Sequence, residues 1–283
     1  DVQILYVGGY FDNLGAQPRN GIGAVDTTTG NPTDFILDLG GYHPQTMKLS
    51  KDNSILYLGG TFITVGGQDR LKLAAVNTAD NSLTPWNPRA SLIPNVIALN
   101  EDESIAYVGG NFASIGPSVR DVDNLIRVNI DGSLDTTFLP NVDAAVWSMA
   151  LSSDKQTLYI GGTGLINNKI NGIPHANLGA LNTVDGSLKQ SFAATASAAV
   201  YTMALSSDNN SLYVGGLFTK VNNQPTLRIA ALNTVDGSLK PEFQASANNN
   251  VNASVLSADN STLYMGGLFT KVNNQPTLRI AAL

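Results

Sequence analysis

A double glycine closing a short apolar run recurs six times along these 283 residues. It appears as ILYVGG at Gly8-Gly9, ILYLGG at Gly59-Gly60, IAYVGG at Gly109-Gly110, LYIGG at Gly161-Gly162, LYVGG at Gly215-Gly216 and LYMGG at Gly266-Gly267. The intervals are 51, 50, 52, 54 and 51 residues. A fixed period of this size means one supersecondary unit repeated, whose apolar faces are covered by stacking on its neighbours. The eighteen residues GGLFTKVNNQPTLRIAAL stand at 215–232 and again, unchanged, at 266–283, which marks a recent duplication of the unit.

Each unit reads as four short strands. The first ends in a phrase such as MKLSKD (47–52) or MALSSD (203–208), and a turn rich in Asp, Asn and Ser follows. The second is the LYVGG run, alternating faces with period two. A loop such as TKVNNQPTL leads to the third strand, RIAALN. Asp-Gly at 185–186 and 236–237 then makes a turn, since glycine accepts the positive φ that a tight hairpin needs. The fourth strand, GSL, is short and runs toward Phe138, Phe192 or Phe243. No segment keeps a helical period. Four strands in about 50 residues fit the blade of a β-propeller, in which neighbouring sheets cover both faces of each. The expected fold is therefore all-β: a single propeller domain over residues 1–283, built from six four-stranded repeats. The double glycine fits close packing between blades or a bulge.

NLIRVNIDGSLDTTF, residues 124–138, together with the Gly-Gly-x-Phe phrase and the third-strand loop, resembles the delta-60 repeat β-propeller family. The resemblance spans the whole chain and has departures. The third-strand Arg survives as Arg127, with Ala75, Ala180, Ala231 and Ala282 in its place elsewhere. The Phe after Gly-Gly is Phe11, Phe62, Phe112, Phe218 and Phe269, but Gly164 in the fourth unit. The second Asp of the fourth-strand phrase is Asp135 once, with Lys189 and Lys240 at the same point in other units. Kelch repeats share the double glycine, but their later Tyr and Trp do not recur here. The resemblance implies a propeller from a secreted or cell-surface protein and carries no catalytic residue with it.

Charge and composition narrow the chemistry. Charged residues are 13% of the chain, against about 25% in ordinary domains. The net charge is -6, which disfavours a nucleic-acid partner. There is no cysteine, so disulfides, thiolate metal sites and a Cys nucleophile are excluded. Polarity comes from Asn, Ser, Thr and Gln, which suits an exported protein. No apolar run approaches the length of a membrane span, and the chain opens directly on a strand pattern, DVQILYVGG, so any leader is expected to have been removed or to lie outside these residues.

Candidate functional residues are few. His43 and His175, the two histidines, sit in non-equivalent loops whose spacing supports no metal site, and loop hydrogen bonding is expected of them. Asp52, Asp102, Asp154, Asp208 and Asp259 recur once per unit; calcium ligation is conceivable, but capping of their own turns is the expected role. The loop TKVNNQPTLR (219–228, 270–279) could bond a glycan, and solvation is the simpler expectation. Trp86 is expected at a blade junction and Trp147 in the core. Asn209, Asn252 and Asn260 stand in glycosylation sequons. Gly-Gly-x-Phe-x-x-x-Gly is no phosphate loop, because no Gly-Lys-Ser/Thr and no helix follows. The chain opens on a second strand and stops on a third. That suggests a piece of a longer protein, a ring with two incomplete blades, or edges filled by strands from a neighbouring molecule.

The functional expectation is a non-catalytic extracellular scaffold or adhesion and binding module, with no cofactor and no metal. Surface proteins, glycans or further copies of itself are its expected partners. One rival is a structural subunit of a filament or surface layer. The other is a glycan-active enzyme, for which the variable loops at 14–20, 114–123 and 167–177 would be the place to look.

Overall fold

The computed structural model describes residues 3–116, 120–121, 123–163 and 169–283, and all its regular structure is β. Five repeats carry a three-stranded antiparallel sheet, and the first carries two strands, Ile4–Gly8 and Ile22–Asp26. The fifth repeat shows the plan. Its first strand, Val200–Leu205, pairs with Ser211–Gly216, which pairs in turn with Ile229–Asn233. Met203 lies opposite Val214, and Val214 opposite Ala230. The all-β propeller class is thus borne out.

Two details differ from the sequence reading. The loop between second and third strands is itself a tight two-stranded ribbon, Lys220–Val221 against Gln224–Pro225, and Val221 is completely buried. Asn222 and Asn223 turn it, both at positive φ, which Asn tolerates better than other side chains. The fourth strand is reduced to one bridge per repeat, such as Leu181 with Leu188 or Leu232 with Leu239. The chain pairs for a few residues, with Lys189 N–H donating to Ala180 C=O at 2.8 Å, and then bends as Phe192 N–H bonds back to Lys189 C=O at 3.1 Å. That bend drops the Phe192 ring onto Tyr159, edge to face at 5.2 Å.

The chain divides into two compact units, residues 1–122 with 126–136, and 123–125 with 137–283. The first packs one core around Phe35, Phe62 and Leu58 and another around Trp86, Phe112 and Val108. The second packs around Phe192, Phe218 and Val214, and around Val251, Met265 and Phe269. The Phe after Gly-Gly is fully enclosed in these cores at positions 62, 112, 218 and 269.

Both roles suggested for the double glycine are filled, one by each residue. A Cβ on Gly215 would lie 2.7 Å from Val251 Cγ1, a side chain of the next repeat. A Cβ on Gly216 would lie 3.0 Å from Val200 Cα, where the first strand bulges. The first glycine lets repeats approach, and the second accommodates the bulge.

Candidate functional site

The recurrent polar residues hold the fold. Asp52, Asp154, Asp208 and Asp259 each accept a hydroxyl bond from the Ser two residues before, at 2.5–2.7 Å. Each also accepts the backbone N–H two residues on, at 3.0 Å. Asp102 makes the latter bond at 3.2 Å. The Ser hydroxyl in turn accepts an N–H five residues on, as Ser206 does from Ser211 at 2.9 Å; in the third repeat Asn100 Oδ1 does the same for Ile105. These bonds, the Ser hydroxyl first, hold the carboxyls of Asp52, Asp208 and Asp259 down at about 2. The geometry is that of capped turns, as expected from sequence.

The residue after each Asp sits at positive φ and, in three turns, clasps the preceding repeat. Lys51 N–H donates to the Glu103 carboxylate, Ser153 N–H to Asn209 Oδ1 at 2.9 Å, and Ser207 N–H to Asn260 Oδ1 at 3.0 Å. Asn209 and Asn260 return a bond through Nδ2 to the same serines' hydroxyls. Two of the three sequon amides are therefore engaged between repeats. Asn252, the third, is exposed on a strand.

The TKVNNQPTLR loop is exposed over most of its length in both copies, as expected, but its first asparagine is engaged. Asn222 Oδ1 accepts Thr195 N–H and its Nδ2 donates to Gly237 C=O, both at 2.9 Å, tying three segments together. The departures from the family pattern are also coupled. Arg127, 8% exposed, pairs with Asp135 through Nε at 2.8 Å and a second nitrogen at 2.7 Å. Where Arg gives way to Ala180, Asp gives way to Lys189, whose amine donates instead to Thr157 Oγ1 at 2.6 Å. Losing one member alone would strand a buried charge.

Trp86 lies where expected: 1% exposed, edge-on to Tyr57 at 5.2 Å, with the following repeat's Gly132 against its backbone. Trp147 does not. It is only half-buried, because it is the extra residue of a β-bulge and so leaves the in-out alternation. Every described first strand bulges at the same point, which puts Gln45, Asn95, Trp147, Tyr201 and Asn252 outside its register with the second strand. Within the second unit three adjacent first strands thus present Trp147, Tyr201 and Asn252 from equivalent positions. The Trp147 and Tyr201 rings meet edge to face at 5.9 Å, and the indole N–H bonds Thr163 Oγ1 at 3.2 Å. Sequence reasoning missed this row. Its signal was a position that holds Trp, Tyr or Asn directly after the Val that opens each of VWSMALS, VYTMALS and VNASVLS.

His43 stacks on exposed Tyr10, with ring centroids 3.6 Å apart. His175 lines a small cavity of about 30 Å³ with Gly161, Thr163, Lys169 and Asn177. Its Nε2 is buried with no bonding partner among the described residues, while a bond to the Pro174 backbone is the loop bond expected of the ring; burial lowers its pKa, and that bond acts the other way. Of the three variable loops, Arg19 in the first is buried and donates to Pro18 and Thr33 carbonyls. Residues 117–119 and 122 of the second, and 167–168 of the third, lie outside the described residues, as does Gly164. Among the described residues no three carboxylates or imidazoles gather as a metal site. No helix there is long and apolar enough to cross a membrane.

These features define a repeat β-propeller. Residues 102–138 and 208–243 match the family model DUF5122, a β-propeller domain of unknown function, each stretch running from a turn Asp to a fourth-segment Phe. The resemblance to delta-60 repeats holds. No curated protein sequence matches the chain. Among solved structures it is similar to a chain of Kuenenia stuttgartiensis hydrazine synthase, with 16% identity and a TM-score of 0.56 over 83% of this chain. It spans 57% of that chain's length. A chain of a mitotic checkpoint complex is similar at 13% identity and a TM-score of 0.59, over 94% of this chain and 88% of that one. At such identities the likeness is one of fold, which hosts unrelated functions.

Proposed function

We propose that this propeller is a non-catalytic binding module of the cell exterior, a scaffold or adhesion domain whose ligand rests on Trp147, Tyr201 and Asn252. The observation that carries the reading is the bulge row. It is a point on the first strands where the side chain changes from aromatic to amide between repeats, directly after a Val that all three share. It offers a half-exposed aromatic pair beside an amide. Aromatic faces stack on the C–H face of a sugar ring, and neighbouring amides bond its hydroxyls, so a glycan is the proposed ligand class. The recurrent carboxylates are already committed to their turns, which argues against their acting as acid–base pairs.

The test is retardation of the protein in gels containing bacterial or host polysaccharides, with a reducing-end assay run on the same polymers. Retardation that is lost in Trp147→Ala, with no new reducing ends, supports the module. Release of reducing ends would replace it with an enzyme.

A further inference from the structure

In the fifth repeat the first and third strands begin at the end of the sheet where the second strand closes. Val200 lies opposite Gly216, and Gly215 opposite Ile229. Tyr201, the bulged residue, stands at that end, and so does Arg228, which directly precedes Ile229. The Arg228 side chain runs back across the sheet. Its Nη1 donates to Leu217 C=O, and Leu217 N–H donates to Ala199 C=O at 2.8 Å, two residues before Tyr201. The guanidinium is thereby drawn from the third strand toward the first and fixed there. First and third strands of one sheet lie about 10 Å apart, a span that two linked sugar rings cover.

Arg228 holds this place at a cost. Its φ is +69°, a conformation that a Cβ disfavours and that Asn tolerates best among side chains. Asn124 and Asn177 do occupy the equivalent position in the third and fourth repeats, at φ of 56° and 63°. In three others a cation stands there instead: Lys72, Arg228 and Arg279 each donate to the carbonyl that follows the double glycine, Thr61, Leu217 and Leu268. Strain kept at one position in several repeats points to use rather than to folding. Among the described residues no carboxylate pairs with Arg228, and its Nε and Nη2 bond no protein atom. The fifth repeat's acids lie elsewhere. Asp208 is in the turn after Leu205 and Asp236 in the turn after Asn233, both at the far end of the sheet, and Glu242 pairs with Lys240 at 3.7 Å. In the fourth repeat Asn177 donates to Ala196 C=O at 2.8 Å, and Asp143 precedes the first strand, so the unpaired cation is a feature of the fifth.

We propose that the ligand of the bulge row is an acidic glycan and that Arg228 binds its carboxylate. The inference rests on the glycan reading of Trp147 and Tyr201 and adds the chemical class. One ring stacks on the aromatic pair, and the carboxylate of a linked uronic acid meets the Nε–Nη2 edge of Arg228. That edge presents two parallel N–H groups, the geometry a carboxylate accepts with both oxygens. Because Nη1 is already held on the Leu217 carbonyl, less side-chain freedom is lost when the anion arrives.

The experiment is calorimetric titration of the 283-residue protein with oligomers of galacturonate and of mannuronate, each also as its methyl ester, which keeps the rings and removes the charge. Saturable binding of at least one acid oligomer is expected, with its ester about 10-fold weaker, the worth of one charge-assisted contact. Arg228→Asn should reproduce that loss for the acid and leave the ester unchanged. Asn suits the positive φ, so this variant removes the charge without straining the backbone. Acid and ester binding equally, or acid binding indifferent to Arg228→Asn, would overturn the inference; if Trp147→Ala still abolishes that binding, the glycan reading of the row stands. Acid binding that needs Arg228 yet ignores both Trp147→Ala and Tyr201→Ala would separate the cation from the row and overturn it too. So would the absence of binding by either acid at about 1 mM, while retardation by neutral polymers would still decide the row by itself.

Discussion

Phe192 and Phe243 occupy the same place in successive repeats, and their truncation should have unequal consequences. Each ring meets a tyrosine edge to face at 5.2 Å. Phe192 is 1% exposed, shut in by the following turn, whereas Phe243 has one side open. Phe192→Ala removes a fully buried ring and leaves a cavity, a loss of about 3–5 kcal/mol. Phe243→Ala gives up only part of that contact, and water already reaches its site, so about 1–2 kcal/mol is expected. Both residues lie in the second unit, as does Trp147, while Trp86 lies in the first. In a Trp86→Phe background the indole emission therefore reports that unit's unfolding alone. With a urea slope of roughly 2 kcal/mol/M, Phe192→Ala should lower the midpoint by about 2 M and Phe243→Ala by less than 1 M. Equal shifts would refute the reasoning, since they would mean that Phe243 is as enclosed as Phe192.

Three further outcomes follow from the same geometry. Asp52, Asp208 and Asp259 have carboxyls held at about 2, below the unfolded value near 3.9. Their contribution is complete above about pH 4 and is lost as pH falls through 2. Urea midpoints measured from pH 5 to pH 2 should decline across that window, and Ser206→Ala should shallow the decline. Gly216→Ala forces a Cβ against the bulged first strand and should cost about 1–3 kcal/mol by thermal or urea melts. In a glycosylating host, peptide mapping should find glycan at Asn252 rather than at Asn209 or Asn260, whose amides hold neighbouring repeats together.

What sequence could and could not show divides along physical lines. The repeat, the strands and the Asp turns were legible because each is written in contiguous residues: Ser206, Asp208 and Asn210 bond within five positions of one another. The ribbon asparagines were not. Asn222 looks like any solvated loop residue until Thr195 and Gly237, 27 and 15 positions away, are brought to it. Trp147 was misplaced for a related reason. Alternation along VWSMAL puts it inward, and only the register against Gly161 and Gly162 shows that the strand bulges there and turns it out.

The most direct test of the proposed binding surface is a titration of Trp147 emission in the Trp86→Phe protein with oligosaccharides from the polymers that retard it. A saturable change in intensity or wavelength, abolished by Tyr201→Ala and absent when Trp147 is Phe in an otherwise native protein, is the result predicted. Emission that stays constant while binding persists by another readout would contradict it, and would move the ligand away from the bulge row.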